Sequence, residues 1–280
     1  MAVADHKHNT GNIETNTPQK SASDYEGEKL VEYYNKLFQI LPADTPQRLE
    51  ECFRLRYQVY CLETGFEDKD AFPDGMERDH FDTHSVSSLL IHKPSGLVAG
   101  TVRVILPDPE GAVNGQTIPA RIVSPDVQLL DEKELPKATT AEISRFSISK
   151  QFRMRQGDTH IPAYTDVHNK IDERRIIPHI TLGLMTAALR VGVEHNMTHL
   201  AVLMEPALER LLRRMGIHLT PVGPILNFHG RRRAFYSDVD TLLARMHEEQ
   251  RDVWEVVTEC GQLWGGEAFQ AEPSAVAHVG

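Results

Sequence analysis

The 280-residue sequence has few cysteines, no long apolar run and a deficit of positive charge. Its three cysteines, Cys52, Cys61 and Cys260, are odd in number and lack metal-site spacing, so a reducing, cytoplasmic setting is expected. No apolar run approaches the roughly 20 residues of a membrane helix, and the first residues lack an apolar signal core, so we expect neither a membrane span nor export. The net charge of −10 argues against a protein that coats nucleic acid.

Hydrophobic periodicity predicts one domain over residues 24–262, between a disordered tail at 1–23 and a loose tail at 263–280. An antiparallel hairpin precedes a strand–helix–strand–helix order, which is typical of an α/β fold with a mixed sheet, although several α+β folds stay open. The predicted elements are helices at about 24–41 and from Pro46, a hairpin at 88–106, a short helix near 124–134, a strand at 141–149, a helix at 176–194, a strand at 200–204, a helix at 206–215, two strands within 217–236 and a helix at 240–260.

Charged residues recur inside segments that otherwise have the pattern of helix and strand cores. Buried charge is costly unless it is paired, so these residues predict a built ion-pair network. They are Arg56, Glu77, Asp79, Asp82, Arg103, Glu142 and Arg145. The 14 histidines are scattered without the pattern of a zinc-binding helix, and no metal site is expected.

The segment from Glu142 to Arg145 has a spacing that a regular strand would not place on one face. A β-bulge between the two residues would turn both to the same side and splay the strand from its neighbour. The backbone N–H groups freed in this way could hold a thioester carbonyl and its developing oxyanion. An ordinary strand with charges on a solvated edge is the alternative.

Four motifs, in this order, resemble those of the acyl-homoserine-lactone (autoinducer) synthases, a branch of the GNAT acyltransferases. They are Arg56, Val59 and Tyr60 for Arg-x-x-Val-Phe; Glu77, Asp79 and Asp82, with Phe81 between, for Glu-x-Asp-x-x-Asp; Arg103 for the glycine-anchored strand arginine; and Glu142, Ser144, Arg145 and Phe146 for Glu-x-Ser-Arg-Phe. The tryptophan that usually follows the first motif is absent, and Phe66 is the nearest substitute. Extra segments around 107–139 and 153–176 make the chain look more like the N-acyl amino acid synthases and the PEP-CTERM/exosortase-associated acyltransferases.

This resemblance implies a GNAT-like mixed central sheet flanked by helices, with extra N-terminal and C-terminal helices. It implies an N-acyltransferase that moves a fatty acyl group from an acyl carrier protein or coenzyme A thioester to the amine of a small amino-acid-like acceptor. Glu142 would be the base and Ser144 a second catalytic candidate. The substrate-binding candidates are Arg56, Phe66, Glu77, Asp79, Phe81, Asp82, Arg103, Arg145, Phe146, Ser147 and Ile148.

The basic segment that follows the motif strand has one glycine, Gly157, where GNAT proteins have a glycine-rich pyrophosphate loop. We therefore expect no tightly bound coenzyme A and propose Lys150, Arg153 and Arg155 as contacts for the phosphopantetheine arm of an acyl carrier protein. Arg231 to Arg233 are further basic candidates for that acidic partner. Apolar residues expected between strand and helix, some of them around an acyl chain, are Phe146, Ile148, Leu182, Met185, Leu189 and Leu203. An acetyl-CoA-dependent acetyltransferase and a non-catalytic acyl-lipid sensor are the alternative functions.

Overall fold

A seven-stranded mixed sheet forms the centre of the computed structural model, which describes residues 29–108, 118–153 and 176–264. The strands are Phe38–Pro42 (β1), Ser85–His92 (β2), Leu97–Ile105 (β3), Thr140–Ile148 (β4), His199–Met204 (β5), Thr220–Asn227 (β6) and Arg231–Asp238 (β7). Their order is β1-β2-β3-β4-β5-β7-β6, and every neighbouring pair is antiparallel except β4 and β5. The edge strands β1 and β6 both contain proline, Pro42 in one and Pro221 and Pro224 in the other.

Helices cover both faces of this sheet. They are Leu30–Leu37 (α1), Pro46–Tyr57 (α2), Pro119–Val123 (α3), Pro125–Gln128 (α4), Lys150–Arg153 (α5), Ile176–Glu194 (α6), Pro206–Arg214 (α7), Val239–Glu249 (α8) and Arg251–Val257 (α9). The main core lies on the α6 face, where Val102 and Val104 of β3 meet Leu184 of α6 and Trp254 of α9. A smaller core on the other face joins Ile105 to α3 and α4.

The sheet opens between its two parallel strands. The ladder between β4 and β5 ends at the pair Ile143 and Val202, although β4 continues to Ile148 and β5 to Met204. On its other side β4 carries a bulge. Thr101 and Arg103 of β3 pair with Ser147 and Ser144 of β4, and the two serines are one residue further apart in sequence than their partners. Arg145 lies in this bulge with a φ of 46°. The predicted bulge and the predicted splay of this strand are thus both present.

The GNAT-like fold class is confirmed, and three of the predicted elements need correction. The helix predicted at 24–41 ends at Leu37, because Phe38 is extended (φ −129°, ψ 152°) and residues 38–42 pair with β2 instead. The helix predicted near 124–134 is reduced to the four-residue α4, with the separate short helix α3 before it, and the helix predicted at 240–260 breaks at Gln250 (φ −146°, ψ 65°).

The predicted tails fall almost wholly outside the described residues, so those domain bounds stay predictions. Leu263 and Trp264 belong to the predicted C-terminal tail but pack on the core, where the Trp264 indole N–H donates to Asp240 at 2.8 Å. Helix α6 is long and apolar enough by composition to cross a membrane. It is mostly buried against the sheet and α9, which is the usual position of a core helix.

Candidate active site

A cavity of about 800 Å³ passes through the gap between β4 and β5. Its walls come from both faces of the sheet: Glu142, Ser144 and Arg103 on one side, and Thr181 and Met185 of α6 on the other. One end is therefore polar and the other apolar. This shape suits a long apolar chain that ends in a polar reacting group.

The predicted ion-pair network surrounds the polar end. Arg56, only 1% exposed, donates from Nε to Glu77 Oε2 at 2.6 Å and from both terminal nitrogens to Asp82 at 2.7 and 2.9 Å. Glu77 is fully buried and also accepts from Arg145 Nη2 at 2.8 Å. Arg56, Glu77 and Asp82 do not line the cavity, so they support the residues that do.

Asp79, Arg103 and Arg145 form the part of the network that faces the cavity. Arg103 binds Asp79 through both terminal nitrogens at 2.6 and 3.0 Å, and Arg145 Nη2 reaches Asp79 Oδ2 at 3.1 Å. The bulge brings Arg145 to these partners, on the face that also carries Glu142. The guanidinium of Arg145 also lies 4.8 Å from the centre of the Tyr60 ring, a cation–π distance.

The network acids are held ionised. Burial alone would raise the pKa of Asp82, but hydrogen bonds and charges from Arg56 and Arg103 outweigh it and lower the pKa to about 2. The same balance holds at the other two acids. Against the effect of burial, Arg145 and Arg56 lower the pKa of Glu77, and Arg103 and Arg145 lower the pKa of Asp79. At neutral pH these three carboxylates therefore carry charge and cannot donate protons.

Glu142 is the exception among the acids of the site. Its side chain is 1% exposed, and burial raises the pKa of its carboxyl to about 7 against the opposing influence of the Ala120 N–H, Arg103, Arg145 and Arg232. The Ala120 N–H, in the first turn of α3, donates to Glu142 Oε2 at 2.7 Å and fixes that oxygen. A carboxyl that titrates near neutrality on the wall of a cavity can accept and release a proton.

The other predicted polar residues differ in whether they line the cavity. Ser144 lines the cavity, and its Oγ accepts a hydrogen bond from Arg103 Nε at 3.0 Å. Ser147 is buried away from the cavity lining and donates to the Arg145 carbonyl oxygen at 3.1 Å. Arg153 lines the cavity and pairs with Glu63, whereas Lys150 is exposed at the start of α5. Arg155 lies outside the described residues.

The predicted apolar lining is mostly in place. Phe66 and Phe81 border the polar end, and four of the six residues expected between strand and helix line the cavity: Phe146, Ile148, Met185 and Leu203. Leu182 and Leu189 are buried in the main core instead. The apolar arm also includes Leu208 and Leu211 of α7, which sequence reasoning missed.

Three polar residues at the cavity were also missed as site residues. Glu67 accepts from Arg145 Nη2 at 2.9 Å, and its carboxylate lies 3.7 Å from His229 Nε2. His229, at the tip of the β6–β7 hairpin, has its pKa lowered by burial in spite of Glu67. Arg232 of β7 was expected to attract a carrier protein but lines the cavity. Across the described ranges, no three His, Cys, Asp or Glu side chains form a metal-binding group.

Several solved structures are similar to this chain at low identity. The acyl-homoserine-lactone synthase LasI is 20% identical over 72% of this chain and 89% of its own, with a TM-score of 0.47. FeeM, an N-acyl amino acid synthase from uncultured soil microbes, is 13% identical over 74% and 94%, with a TM-score of 0.49. BjaI, a coenzyme A-dependent acyl-homoserine-lactone synthase solved with S-adenosylmethionine and isopentyl-CoA, is 17% identical over 80% and 88%, with a TM-score of 0.48. Likenesses this distant carry no argument about donor or acceptor.

One family model matches part of the chain. No curated protein sequence matches the chain. Residues 55–162, which span the charged motifs and β4, match the model of the acetyltransferase (GNAT) domain. The strand order, the bulged β4 and the opening beside β5 agree with that match. Residues 55–162 are therefore similar to the acetyltransferase domain of the GNAT type.

Proposed function

We propose that this acyltransferase moves a fatty acyl group from a phosphopantetheine thioester to the amine of a small amino-acid-like acceptor. The observation that carries the proposal is the cavity through the sheet, with buried Glu142 at its polar end and the apolar side chains of β4, β5, α6 and α7 beyond it. An acetyl group would leave most of a volume of about 800 Å³ empty, so this volume favours a longer acyl chain.

The reaction follows from these positions. An amino-acid ammonium must lose a proton before it can attack, and Glu142 accepts that proton directly or through a water. The amine nitrogen then bonds to the thioester carbonyl carbon, and the backbone N–H groups of the splayed strand near Phe146 to Ile148 stabilise the oxyanion. The carbon–sulfur bond breaks, and the thiolate of the phosphopantetheine arm leaves and takes up the second proton that the attacking nitrogen loses as the amide forms.

For the donor, an acyl carrier protein is the carrier we favour. Lys150 is exposed and Arg153 borders the cavity, which gives an acidic carrier protein basic groups to contact on an otherwise acidic molecule. Coenzyme A presents the same phosphopantetheine thioester, and the two donors differ in the molecule to which that arm is attached. Assays with acyl carrier protein and coenzyme A donors of equal chain length in parallel would separate them.

Mass spectrometry of products tests the proposal. The protein is mixed with acyl carrier proteins and acyl-CoAs of several chain lengths and with pooled amino acids, and S-adenosylmethionine is supplied in a parallel reaction. We expect a new N-acyl mass that is lost in Glu142→Gln. Product formation from acetyl-CoA alone would favour a short-chain acetyltransferase. No product in any reaction, with lipid retained by the purified protein, would favour an acyl-lipid sensor.

A further inference from the structure

Arg232 occupies a position at the cavity that the charged motifs do not include. It follows the tip of the β6–β7 hairpin and lines the polar end together with Phe66 and His229. Its charge reaches the reacting region, because it lowers the pKa of Glu142 against the larger effect of burial. It is therefore close enough to influence the candidate base.

The guanidinium of Arg232 is held in place by neutral groups. Its Nε donates to the carbonyl oxygen of His229 at 3.1 Å, and its Cζ lies 5.7 Å from the centre of the Phe66 ring. The hairpin tip is itself close to that ring, since a Cβ on Gly230 would be 3.0 Å from Phe66 Cζ. These contacts orient the side chain without neutralising it.

Arg232 differs in this respect from the other arginines that line the cavity. Arg103 pairs with Asp79, Arg145 with Glu77, and Arg153 with Glu63. Within the described ranges, Arg232 forms no ion pair with any carboxylate. Glu142 is not an ion-pair partner of Arg232, because no oxygen of Glu142 lies at ion-pair distance from the guanidinium. The Oε2 atom of Glu142 accepts the Ala120 N–H instead. A half-buried guanidinium that is oriented but unpaired is suited to a carboxylate supplied by a ligand.

We propose that Arg232 binds the carboxylate of the acceptor, so that the enzyme selects amines that carry a free carboxylate. This inference rests on the proposed acyl transfer and narrows its acceptor class. A guanidinium offers two parallel N–H groups to a carboxylate, which fixes both the position and the orientation of the acceptor. The acceptor amine is then placed between Arg232 and Glu142.

Binding of such an acceptor also affects the base. The positive charge of Arg232 favours the ionised form of Glu142, and a bound carboxylate would neutralise that charge. The affinity of Glu142 for a proton therefore increases when the acceptor binds. An amine without a carboxylate would lose both this effect and the orienting ion pair.

The test compares one acceptor acid, chosen by the product screen, with its carboxamide. For the wild type we expect kcat/KM to be about 10- to 100-fold lower with the carboxamide, as for loss of a charged hydrogen-bonded pair. In Arg232→Gln, kcat/KM for the acid should fall by a similar factor, and the preference for the acid over the carboxamide should be lost. Arg54→Gln is the control, because Arg54 is an exposed arginine on α2 that does not line the cavity.

The outcomes separate the inference from the proposed function. If the wild type acylates acid and carboxamide equally well, Arg232 does not bind the acceptor carboxylate, and this comparison needs no variant to fold. If Arg232→Gln raises the KM of the donor and slows both acceptors equally, Arg232 serves the donor and the inference is wrong. If no acceptor yields an N-acyl product, the proposed acyl transfer itself is refuted, and the inference with it.

Discussion

Replacing Glu142 by glutamine should stabilise the folded protein at alkaline pH while abolishing its proposed role as a base. Burial raises the pKa of this carboxyl from its ordinary value of 4.5 to about 7. The unfolded chain exposes the same group to water, where its pKa is ordinary, so ionisation is costlier in the folded state. The two values correspond to about 3 kcal/mol of unfolding free energy that the wild type loses when Glu142 ionises.

The sign of this effect fixes its pH range. Well below pH 4.5 the carboxyl is neutral in both states, so the unfolding free energies of wild type and Glu142→Gln should differ least there. As the pH rises towards about 7, the unfolded state ionises first and the wild type loses stability. Above that range the variant should be more stable by about 3 kcal/mol. A glutamine oxygen can still accept the Ala120 N–H, so the comparison isolates the charge.

Urea unfolding followed by circular dichroism at pH 5, 6 and 8 measures this difference. Other groups titrate equally in both proteins and cancel in the comparison. The control is Glu50→Gln, which removes an exposed carboxylate that pairs with Arg54 and should show no such trend. A difference that stays constant with pH, or a wild type that is the more stable protein at pH 8, would refute the assignment of a raised pKa to Glu142.

Three further changes test the network, the apolar arm and the close packing at the bulge. Glu77→Gln removes a carboxylate that both Arg56 and Arg145 bind. It should lower the unfolding free energy measured by urea unfolding by about 3–5 kcal/mol, whereas Glu50→Gln should lower it by about 0.5 kcal/mol or less. Met185→Trp should narrow the arm and reduce products of long acyl chains by about 10-fold or more in mass spectrometry, with short chains retained; equal loss at every length would contradict this. Gly100→Ala places a Cβ 2.8 Å from a backbone oxygen of β4 and should lower the free energy by about 1–3 kcal/mol in thermal unfolding. Gly192→Ala meets nothing nearer than 3.8 Å and should raise it by about 0.5–1 kcal/mol.

The hairpin, the order of the later elements and the bulge in β4 were predictable because each depends on local pattern. Thr45 and Pro46 mark the start of α2 directly, and the Thr45 side chain accepts the Arg48 N–H there. Strand β1 was missed because Phe38 and Leu41 continue the apolar spacing of α1. Only pairing with β2, which lies far along the chain, makes them extended.

The candidate site also has features that the local sequence pattern predicted and features that it could not predict. Charges within apolar segments predicted that Arg56, Glu77 and Arg145 would be paired, since isolated charges there would be too costly. Their partners could not be assigned, because each arginine bonds to several acids across a folded loop. His229 and Arg232 were not predicted at the cavity, because the β6–β7 hairpin reaches Phe66 only through tertiary packing.

The prolines in the edge strands bear on how the molecule behaves in a crowded solution. A proline has no N–H to donate, so Pro42 at one edge and Pro221 and Pro224 at the other interrupt the row of donors that a second chain would need. The break in register between Val222 and Leu226 further disrupts the β6 edge. An open seven-stranded sheet invites edge-to-edge growth into larger assemblies, and these residues disfavour that growth at both ends.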